Sequence, residues 1–323
     1  MFDITALGEL LIDFTESGVS AAGRKLFEQN PGGAVANVLA AIAKLGGSAA
    51  FIGKVGDDMH GRFLKETLEN AGIDTQGLVL ASDVFTTLAF VALSPSGERT
   101  FSFARKPGAD TCLNSSEVDR DVIRHSKILH IGSLSMTDEP ARSATLHAVA
   151  LAKEAGTMVS YDPNYRGSLW ENEETAKGRM RELLPFVDIM KLSDEETELL
   201  TDRADPAEAA EALNRQGIPC AVVTLGKRGA MVGVGGRQEI VEGFPLPAID
   251  TTGAGDAFWG GFLYHMLELH QTPSTLTLAN AVDCAVWGNA VATRCVQKRG
   301  AIPAMPGMPE VVDLLRSYHK GTF

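Results

Sequence analysis

The chain has 323 residues, a formal net charge of −12 and a hydrophobic content of 45%. This acidic balance, without any lysine- and arginine-rich run, excludes a nucleic-acid-binding surface, and the composition excludes a mainly disordered chain. The length allows two domains, or one large α/β unit with an insertion. No apolar run reaches the roughly 18 to 20 residues of a membrane span and the first residues lack a signal peptide pattern, so we expect a cytoplasmic protein with no membrane partner. The four cysteines are scattered and are expected to pack as reduced, small hydrophobic residues.

Apolar runs of strand length alternate with amphipathic stretches along much of the chain. In chain order they cover residues 4–12, 34–45, 49–55, 61–71, 128–131, 141–155, 158–161, 187–190 and 221–225. This alternation is typical of βαβ units and predicts an α/β fold with a central, mostly parallel sheet and helices on both faces. Such sheets bind their ligands at the carboxyl ends of the strands.

One segment interrupts the alternation. Residues 86–93 and 99–104 are β-prone, and the turn sequence Ser94-Pro95-Ser96-Gly97 joins them, which predicts a hairpin. Two strands alone are only marginally stable, so the hairpin must extend another sheet, cover a site or meet a partner chain. Further along, residues 230–234 and 238–241 predict two hairpin-like strands, and residues 255–269 and 276–293 predict long helices.

The strongest local motif is Asp250-Thr251-Thr252-Gly253-Ala254-Gly255-Asp256, which directly precedes an apolar helical run. Glycines at the start of a helix expose backbone N–H groups to an anion, and the helix dipole adds to the attraction, so the motif predicts a phosphate site. Asp256 would repel phosphate as a ligand, but it suits a general base that takes a proton from an attacking hydroxyl. The alternative is an ordinary helix start with Asp256 in the first turn. A Cβ at Gly255 is expected to enter the phosphate site.

Two further features suit a small polar ligand. Gly32 and Gly33 open a helical run and would let the backbone approach a ligand, with Asn37 one turn later offering both a donor and an acceptor. Asp13 ends the first strand pattern, where its carboxylate could accept hydrogen bonds from sugar hydroxyls. A plain turn before a helix, and a turn residue at a strand end, explain the same residues.

Together these glycine clusters resemble the two signature regions of the ribokinase-like carbohydrate kinases. The first runs over residues 32–61 and the second over residues 250–256, and the resemblance extends over essentially the whole chain. Within that family the sequence is most similar to the bacterial fructokinases. The resemblance implies a ribokinase-like fold over residues 1–323, with a small β-lid formed by residues of about 10–30 and 80–106.

The resemblance also implies roles for the motif residues. The backbone amides of Gly253, Ala254 and Gly255 would form an anion hole for the transferred phosphoryl group, with Asp256 as the catalytic base. The residues implied to hold the sugar are Asp13, Gly32, Gly33, Asn37, Phe103, Arg105 and Arg166. Arg105 could reach the sugar or the phosphoryl group, or it could be a solvated surface residue.

For the nucleotide and the ions, the resemblance implies several strand-end and loop residues. Those implied to line the ATP site are Ser193, Thr224, Gly226, Gly229 and Asn280. Glu196 would organise hydrated Mg²⁺ through water, although a capping box with Ser193 explains both residues as well. Asp250, Thr252 and Gly300 match a monovalent cation site, which suggests K⁺. Asn280 could equally be a helix surface residue.

The implied activity is ATP-dependent phosphorylation of a sugar hydroxyl, with D-fructose as the first candidate and fructose 6-phosphate as its product. An alternative within the class is a 2-keto-3-deoxygluconate kinase, in which Arg105 or Arg166 would hold the carboxylate. From another class, a non-catalytic sugar-sensing protein would usually have lost the base or a glycine of the anion hole, and both are intact here. A P-loop and a complete dinucleotide fingerprint are missing from the sequence. A homodimer could form through the lid.

Overall fold

The structure is a computed structural model, and it describes residues 1–93 and 99–320. Its strands are β1 Phe2–Leu7, β2 Leu11–Val19, β3 Lys25–Gly32, β4 Ala49–Gly56, β5 Ile73–Ala81, β6 Leu88–Leu93, β7 Arg99–Ala104, β8 Ser126–Ile131, β9 Met158–Tyr161, β10 Ile189–Ser193, β11 Cys220–Thr224, β12 Ala230–Val234 and β13 Arg237–Val241. Its helices are α1 Ala34–Lys44, α2 Met59–Asn70, α3 Arg120–Arg124, α4 Ala141–Ala155, α5 Glu173–Arg181, α6 Thr197–Thr201, α7 Pro206–Arg215, α8 Ala254–Glu268, α9 Leu278–Cys295 and α10 Met308–Lys320.

Nine of the described strands form one large sheet in the order β13-β12-β11-β10-β9-β8-β1-β4-β5. The seven strands from β11 to β5 pair in parallel, and only β12 and β13 are antiparallel. This confirms the predicted central, mostly parallel sheet. The parallel strands also bring their carboxyl ends to one edge, where an open α/β sheet places its ligand site.

Helices cover both faces of the large sheet, as the sequence predicts. The two faces are visible in single strands: Phe51 of β4 packs into a core with α1, α8 and α9, whereas its neighbour Ile52 packs into a second core with α4 and α7. Successive side chains of a strand point to opposite faces, so a strand buried on both sides is apolar throughout. β4 is buried over its whole length for this reason.

The predicted hairpin belongs to a second, four-stranded sheet in the order β3-β2-β6-β7. The turn from Ser94 to Gly97 lies outside the described residues, but β6 and β7 pair antiparallel from Leu88–Ala104 to Leu93–Arg99. Of the three outcomes expected for the hairpin, extension of another sheet is therefore confirmed. Residues 11–32 contribute the other two strands, and a lid role for this sheet stays a prediction.

The prediction of one strand over residues 4–12 is wrong. β1 ends at Leu7, and the chain leaves the large sheet at Gly8 before β2 begins at Leu11 in the small sheet. At this break Glu9 turns inward, where its Oε1 accepts a hydrogen bond from the amide of Ala34 at the start of α1. Asp13 therefore lies within the small sheet, and not at the carboxyl end of a strand of the large one.

Within the described ranges, no helix is long and apolar enough to cross a membrane. The four cysteines are free thiols, and Cys220, Cys284 and Cys295 are buried in apolar surroundings while Cys112 is half-buried. This agrees with the packing role expected from their spacing.

Candidate active site

The candidate site lies where the carboxyl edge of the large sheet meets the amino terminus of α8. The loop after β9 brings Asn164 to this place, and α1 brings Asn37 from the other side. Both side chains meet Asp256, in the first turn of α8. The two signature regions are thus adjacent in space, since Asn37 and Asp256 are 219 residues apart in the sequence.

Asp256 is held by two amide side chains. Asn37 Nδ2 donates to Asp256 Oδ2 at 2.7 Å, and Asn164 Nδ2 donates to Oδ1 at 3.1 Å. Each carboxylate oxygen accepts one hydrogen bond, which fixes the plane of the carboxylate and leaves lone pairs for a reacting hydroxyl. Asn164 has a positive φ of 46°. Sequence analysis did not select it, although its position directly after a strand of the sheet was a usable signal.

The environment of Asp256 adjusts its acidity. Burial raises the pKa of the Asp256 carboxyl to about 6, while the ammonium of Lys191 opposes that rise and the carboxylate of Asp162 adds to it. The hydrogen bond from Asn37 and the charge of Arg166 favour the ionised form. A buried carboxyl with a pKa near the working pH is the kind of group that serves as a general base.

The helix that carries Asp256 begins as the glycine motif predicts. Gly253 is the N-cap of α8 and has a φ of 74°, a left-handed conformation that favours glycine. Three amides are predicted to form the anion hole. One of them, the amide of Ala254, already donates to the carbonyl of Thr251 at 3.2 Å within the turn. The first N–H groups of an α-helix lack acceptors within the helix and point along its axis, which leaves an anion-binding helix terminus beside Asp256.

The structure adds a reason for glycine at position 255. A Cβ built on Gly255 would lie 3.0 Å from the Nζ atom of Lys191, and its entry into the anion hole stays a prediction. Lys191 is buried, and its ammonium donates to Asp162 Oδ2 at 2.6 Å. Glycine at position 255 therefore makes room for a buried ion pair next to the candidate base.

On the sugar side, the small sheet places two of the predicted residues in one row. Asp13 of β2 and Phe103 of β7 are both in register with Ala89 of β6, which is fully buried, so the row faces the interior. Residues in register across a sheet point to the same face. The sequence-predicted pair of Asp13 and Phe103 is therefore brought together on the inner face of the small sheet.

Gly32 and Gly33 line the same region, and each is required to be small. A Cβ at Gly32 would clash with the carboxylate of Asp13, and one at Gly33 would clash with the carbonyl of Glu9. Gly33 also has a φ of 129° as the N-cap of α1. The Oδ1 atom of Asn37 is buried without a hydrogen-bond partner among the described residues, so an acceptor is available beside the base.

Arg105 is neither solvated nor free. It is buried, and its Nε and Nη2 atoms lie 2.8 and 2.7 Å from Asp110 Oδ2, while Nη2 also donates to the carbonyl of Leu134 and Nη1 to the hydroxyl of Thr137. The alternative of a solvated surface arginine is therefore wrong, and contact of Arg105 with the sugar or the phosphoryl group stays a prediction. Its guanidinium therefore connects the segment after β7 to the segment after β8.

Arg166 is exposed and donates to the carbonyl of Tyr165 at 3.0 Å. Its charge acts on Asp256, so it lies near the candidate base. Unlike Arg105, it can turn toward a ligand without breaking an ion pair among the described residues.

Glu196 is buried, and both of its oxygens accept backbone hydrogen bonds. Oε1 accepts from the amide of Tyr165 at 2.6 Å, and Oε2 accepts from the amide of Ser193 at 2.7 Å. The second bond is one half of the capping box expected before α6. Together the two bonds tie the loop after β9 to the end of β10, and each oxygen retains a lone pair for a water molecule.

The predicted nucleotide residues fall into two places. Ser193 and Thr224 are in register at the ends of β10 and β11, and Gly226 follows directly with a φ of 57°. Gly229 instead lies against the end of β13, where a Cβ would clash with the carbonyl of Val241, so packing explains this glycine. Asn280 lies in the first turn of α9, where its Oδ1 accepts from the hydroxyl of Thr277.

The three residues implied in cation binding form one cluster. Asp250 Oδ1 accepts from the amide and the hydroxyl of Thr252 at 3.0 and 2.7 Å, and Oδ2 accepts from the amide of Gly300 at 3.0 Å. The cluster braces the turn before α8. No group of three or more histidine, cysteine, aspartate or glutamate side chains in the described part of the chain is arranged to hold a metal ion.

Fold and site together define a kinase for small hydroxylated molecules, since a buried carboxylate stands beside an anion-binding helix terminus at the carboxyl edge of a doubly wound sheet. Residues 1–308 match the pfkB family carbohydrate kinases, and the chain belongs to that family. It is 41% identical to a probable fructokinase-7 of Arabidopsis thaliana over 97% of this chain and 92% of that protein. It is also 41% identical to fructokinase-1 of Oryza sativa subsp. japonica, over 97% and 98% of the two chains.

Solved structures agree with these relatives. A fructokinase from Xylella fastidiosa with bound ATP has a TM-score of 0.91 and 33% identity, and the comparison covers 99% of this chain and 100% of that one. A fructokinase from Vibrio cholerae O395 with fructose, ADP and a calcium ion has a TM-score of 0.87 and 34% identity, over 97% and 99% of the two chains. The fold is therefore ribokinase-like, and the protein is a sugar kinase.

Proposed function

We propose that this protein is an ATP-dependent fructokinase that transfers the γ-phosphoryl group of ATP to fructose and forms fructose 6-phosphate. The observation that carries the chemistry is the carboxylate of Asp256, held by Asn37 and Asn164 at the amino terminus of α8. The choice of fructose is supported by relatives named fructokinase and by the fructose-bound structural neighbour.

In the proposed reaction, Asp256 accepts the proton of the sugar hydroxyl as that oxygen attacks the γ-phosphorus. The new O–P bond forms while the bond to the bridging oxygen breaks, and ADP leaves with the electron pair. The negative charge on the transferred group faces the amino terminus of α8, whose N–H groups and dipole stabilise it. Mg²⁺ bound to the nucleotide would neutralise phosphate charge, with Glu196 acting through water.

Asp13, Gly32, Gly33, Asn37 and Phe103 would hold the sugar under the small sheet, and Arg166 would reach the sugar or the phosphates. Ser193, Thr224 and Gly226 would contact the nucleotide, and we propose Asp250, Thr252 and Gly300 as the surroundings of a K⁺ ion. Gly229 and Asn280 stay predictions as nucleotide contacts. Residues 1–323 would act as one kinase domain with the small sheet as its lid, and the cytoplasmic location stays a prediction.

The state of Arg105 favours a neutral sugar over an acidic one. A carboxylate substrate such as 2-keto-3-deoxygluconate needs a free cation, and the guanidinium of Arg105 is neutralised by Asp110, which leaves only Arg166 of the two arginines for that role. Asp13 and Asp256 would also repel an acid, and the net charge of −12 adds to this repulsion.

A panel of sugars with ATP, Mg²⁺ and K⁺, assayed for ADP release, tests the proposal. We expect kcat/KM for fructose to exceed that for ribose and for 2-keto-3-deoxygluconate by at least about tenfold. A better rate with ribose or with the acid would contradict the assignment of fructose and leave a sugar kinase with another acceptor.

Asp256→Asn tests the base. The variant should bind ATP normally while kcat falls by about 10² to 10⁴, because the hydroxyl then keeps its proton. Asp283→Asn is the matched control, since Asp283 is an exposed carboxylate of α9 that pairs with His265. Near-normal turnover in Asp256→Asn would overturn the mechanism.

We also propose that the outer face of the small sheet forms a homodimer interface. Phe14 stacks on Phe90, and Phe27 packs edge-on against Phe90, which leaves an aromatic patch on the face opposite Asp13. Val19, Phe27 and Phe90 are all substantially exposed. Exposed apolar patches of this kind mark protein interaction sites.

A further inference from the structure

Lys191 is a buried cation that the proposed mechanism has not used. It lies in β10 with its side chain 6% exposed, and it pairs with Asp162, whose side chain is 2% exposed. Its Nζ atom lies 3.0 Å from the position that a Cβ would occupy if residue 255 were not glycine, so the ammonium packs directly on the first turn of α8. That turn carries Asp256, the next residue.

We propose that Lys191 is a positioning residue for the base: its ammonium keeps Asp256 ionised and holds the first turn of α8 against β10. The inference rests on the role of Asp256 in the proposed function. It adds a specific task for a residue outside both glycine motifs, and it explains why position 255 has no side chain.

The charges around Lys191 give the physical reason. The carboxylates of Asp162, Glu196 and Asp256 all act on the ammonium, and although burial disfavours its charge, together they raise the pKa of Lys191. His130, the other titratable group beside it, has its pKa lowered to about 3 by burial and by Lys191, so it is neutral at physiological pH. Lys191 is therefore a permanent positive charge among three carboxylates. Without it, an ionised Asp256 would face the buried carboxylate of Asp162 at low dielectric, which favours protonation of Asp256.

The groups that act on the pKa of Asp256 support the same conclusion. They are Lys191 from β10, Asp162 and Arg166 from the loop after β9, and Asn37 from α1. Among the charged groups, Lys191 has the largest effect on the pKa of Asp256, and it favours the base form. Arg166 is exposed, so solvent screens its charge more strongly.

Lys191→Met tests the inference, since methionine has a similar length without the charge. In the variant, the acidic limb of kcat/KM for fructose should move from about pH 6 to at least about pH 7, so the loss of activity relative to the wild type should be at least about fivefold greater at pH 6 than at pH 8. KM for fructose and for MgATP should stay within about threefold, because Lys191 acts through Asp256 and not on the substrates. Lys191→Arg keeps a cation, so its acidic limb should lie closer to that of the wild type than the limb of Lys191→Met does.

Lys54→Met is the matched control. Lys54 is also a buried lysine. Its Nζ atom lies 2.7 Å from Glu117 Oε1, and this ion pair is not part of the candidate site. Its loss should lower stability but leave the acidic limb at about pH 6. A purely structural role for Lys191 would give the same result, so the pH profile separates the two roles.

The double variant Asp162→Asn/Lys191→Met keeps the inference testable if Lys191→Met does not fold, because it removes both charges of the buried ion pair and leaves neither member without its partner. Its acidic limb should still move upward, since Lys191 acts on Asp256 more strongly than Asp162 does. An unmoved limb in either folded variant overturns the inference. Full turnover in Asp256→Asn would instead overturn the base itself, so failure of the inference and failure of the proposed function give different results.

Discussion

At the scale of single residues, the pKa of Asp256 defines the pH range of the proposed reaction. Burial raises this pKa to about 6, and only the ionised carboxylate can accept a proton. We expect kcat/KM for fructose to be level above about pH 6 and to fall about tenfold per pH unit below it. Steady-state rates across pH 4.5 to 8 measure this, with circular dichroism at each pH to exclude unfolding. A limb near pH 4, the ordinary range of an aspartate, would contradict the buried state of the base.

Glu9 is a second carboxyl whose pKa is shifted from its ordinary value. It is fully buried at the break between β1 and β2, its Oε1 accepts from the amide of Ala34, and burial raises its pKa to about 7 from the ordinary 4.5. A carboxyl with a raised folded pKa binds more protons when folded. Its contribution to stability is therefore full below about pH 4.5 and is lost as the pH rises through about 7.

Glu9→Gln should remove this dependence, because glutamine keeps an oxygen for the amide of Ala34 and has no charge to bury. From pH 5 to pH 8, the free energy of unfolding should shift in favour of the variant over the wild type by about 2 to 3 kcal/mol. Urea denaturation at several pH values measures the difference. Glu310→Gln is the control, since the pKa of Glu310 is lowered by Lys298 and its effect has the opposite sign. A constant difference between Glu9→Gln and wild type would show that Glu9 titrates normally.

At the scale of elements, the small sheet is the part expected to respond to sugar. Its inner face carries Asp13 and Phe103. The short connection Gly8-Glu9-Leu10 and the ion pair of Arg105 with Asp110 join the small sheet to the rest of the protein. A sheet that covers the acceptor excludes water and limits hydrolysis of ATP.

Hydrogen exchange in β2, β3, β6 and β7 should therefore slow when fructose is added, because the bound sugar holds the inner face of the sheet closed. The hairpin of β12 and β13 is the matched control, since it is also antiparallel but lies at the far edge of the large sheet. Mass spectrometry of the exchanged peptides resolves the two regions. Equal protection of the small sheet with and without fructose would contradict its role as a lid.

At the scale of the whole molecule, the proposed dimer predicts a change of assembly state from a single surface substitution. Phe27→Asp places a charge in the exposed patch of the small sheet and should convert a dimer to a monomer, since a charge buried at an apolar interface is strongly unfavourable. Sedimentation velocity measures the state. Ile240→Asp is the control, because Ile240 is 56% exposed on β13, remote from the patch in the strand order. A wild-type monomer at micromolar concentration would contradict the dimer.

Much of the large sheet could be predicted from the sequence because both of its faces are covered. A strand buried on two sides is continuously apolar, so runs such as those of β4, β8 and β9 stand out, and α4 and β12 begin and end at the predicted residues. β2 and β3 gave no such pattern, since much of the small sheet is exposed. Their presence could be expected only from the family resemblance.

The same distinction holds in the candidate site. The glycine motif at residues 250–256 is local chemistry, because a left-handed Gly253 followed by a helix produces an anion site wherever the chain folds, and Asp256 beside it suggests a base. Asn164, Lys191 and Glu9 have no such motif. Their importance comes from neighbours 25 to 92 residues away in the chain, and only the tertiary structure brings them together.

By itself, the sequence determined the α/β class, the order of most strands and helices, the glycine-rich helix start at Gly253 and the sugar kinase family. The tertiary structure decided the break after β1, the pairing of Arg105 with Asp110, and the charges that adjust Asp256. The physical reason is range: backbone conformation and burial patterns depend on residues close in the chain, whereas ion pairs and pKa values depend on distances that folding alone sets.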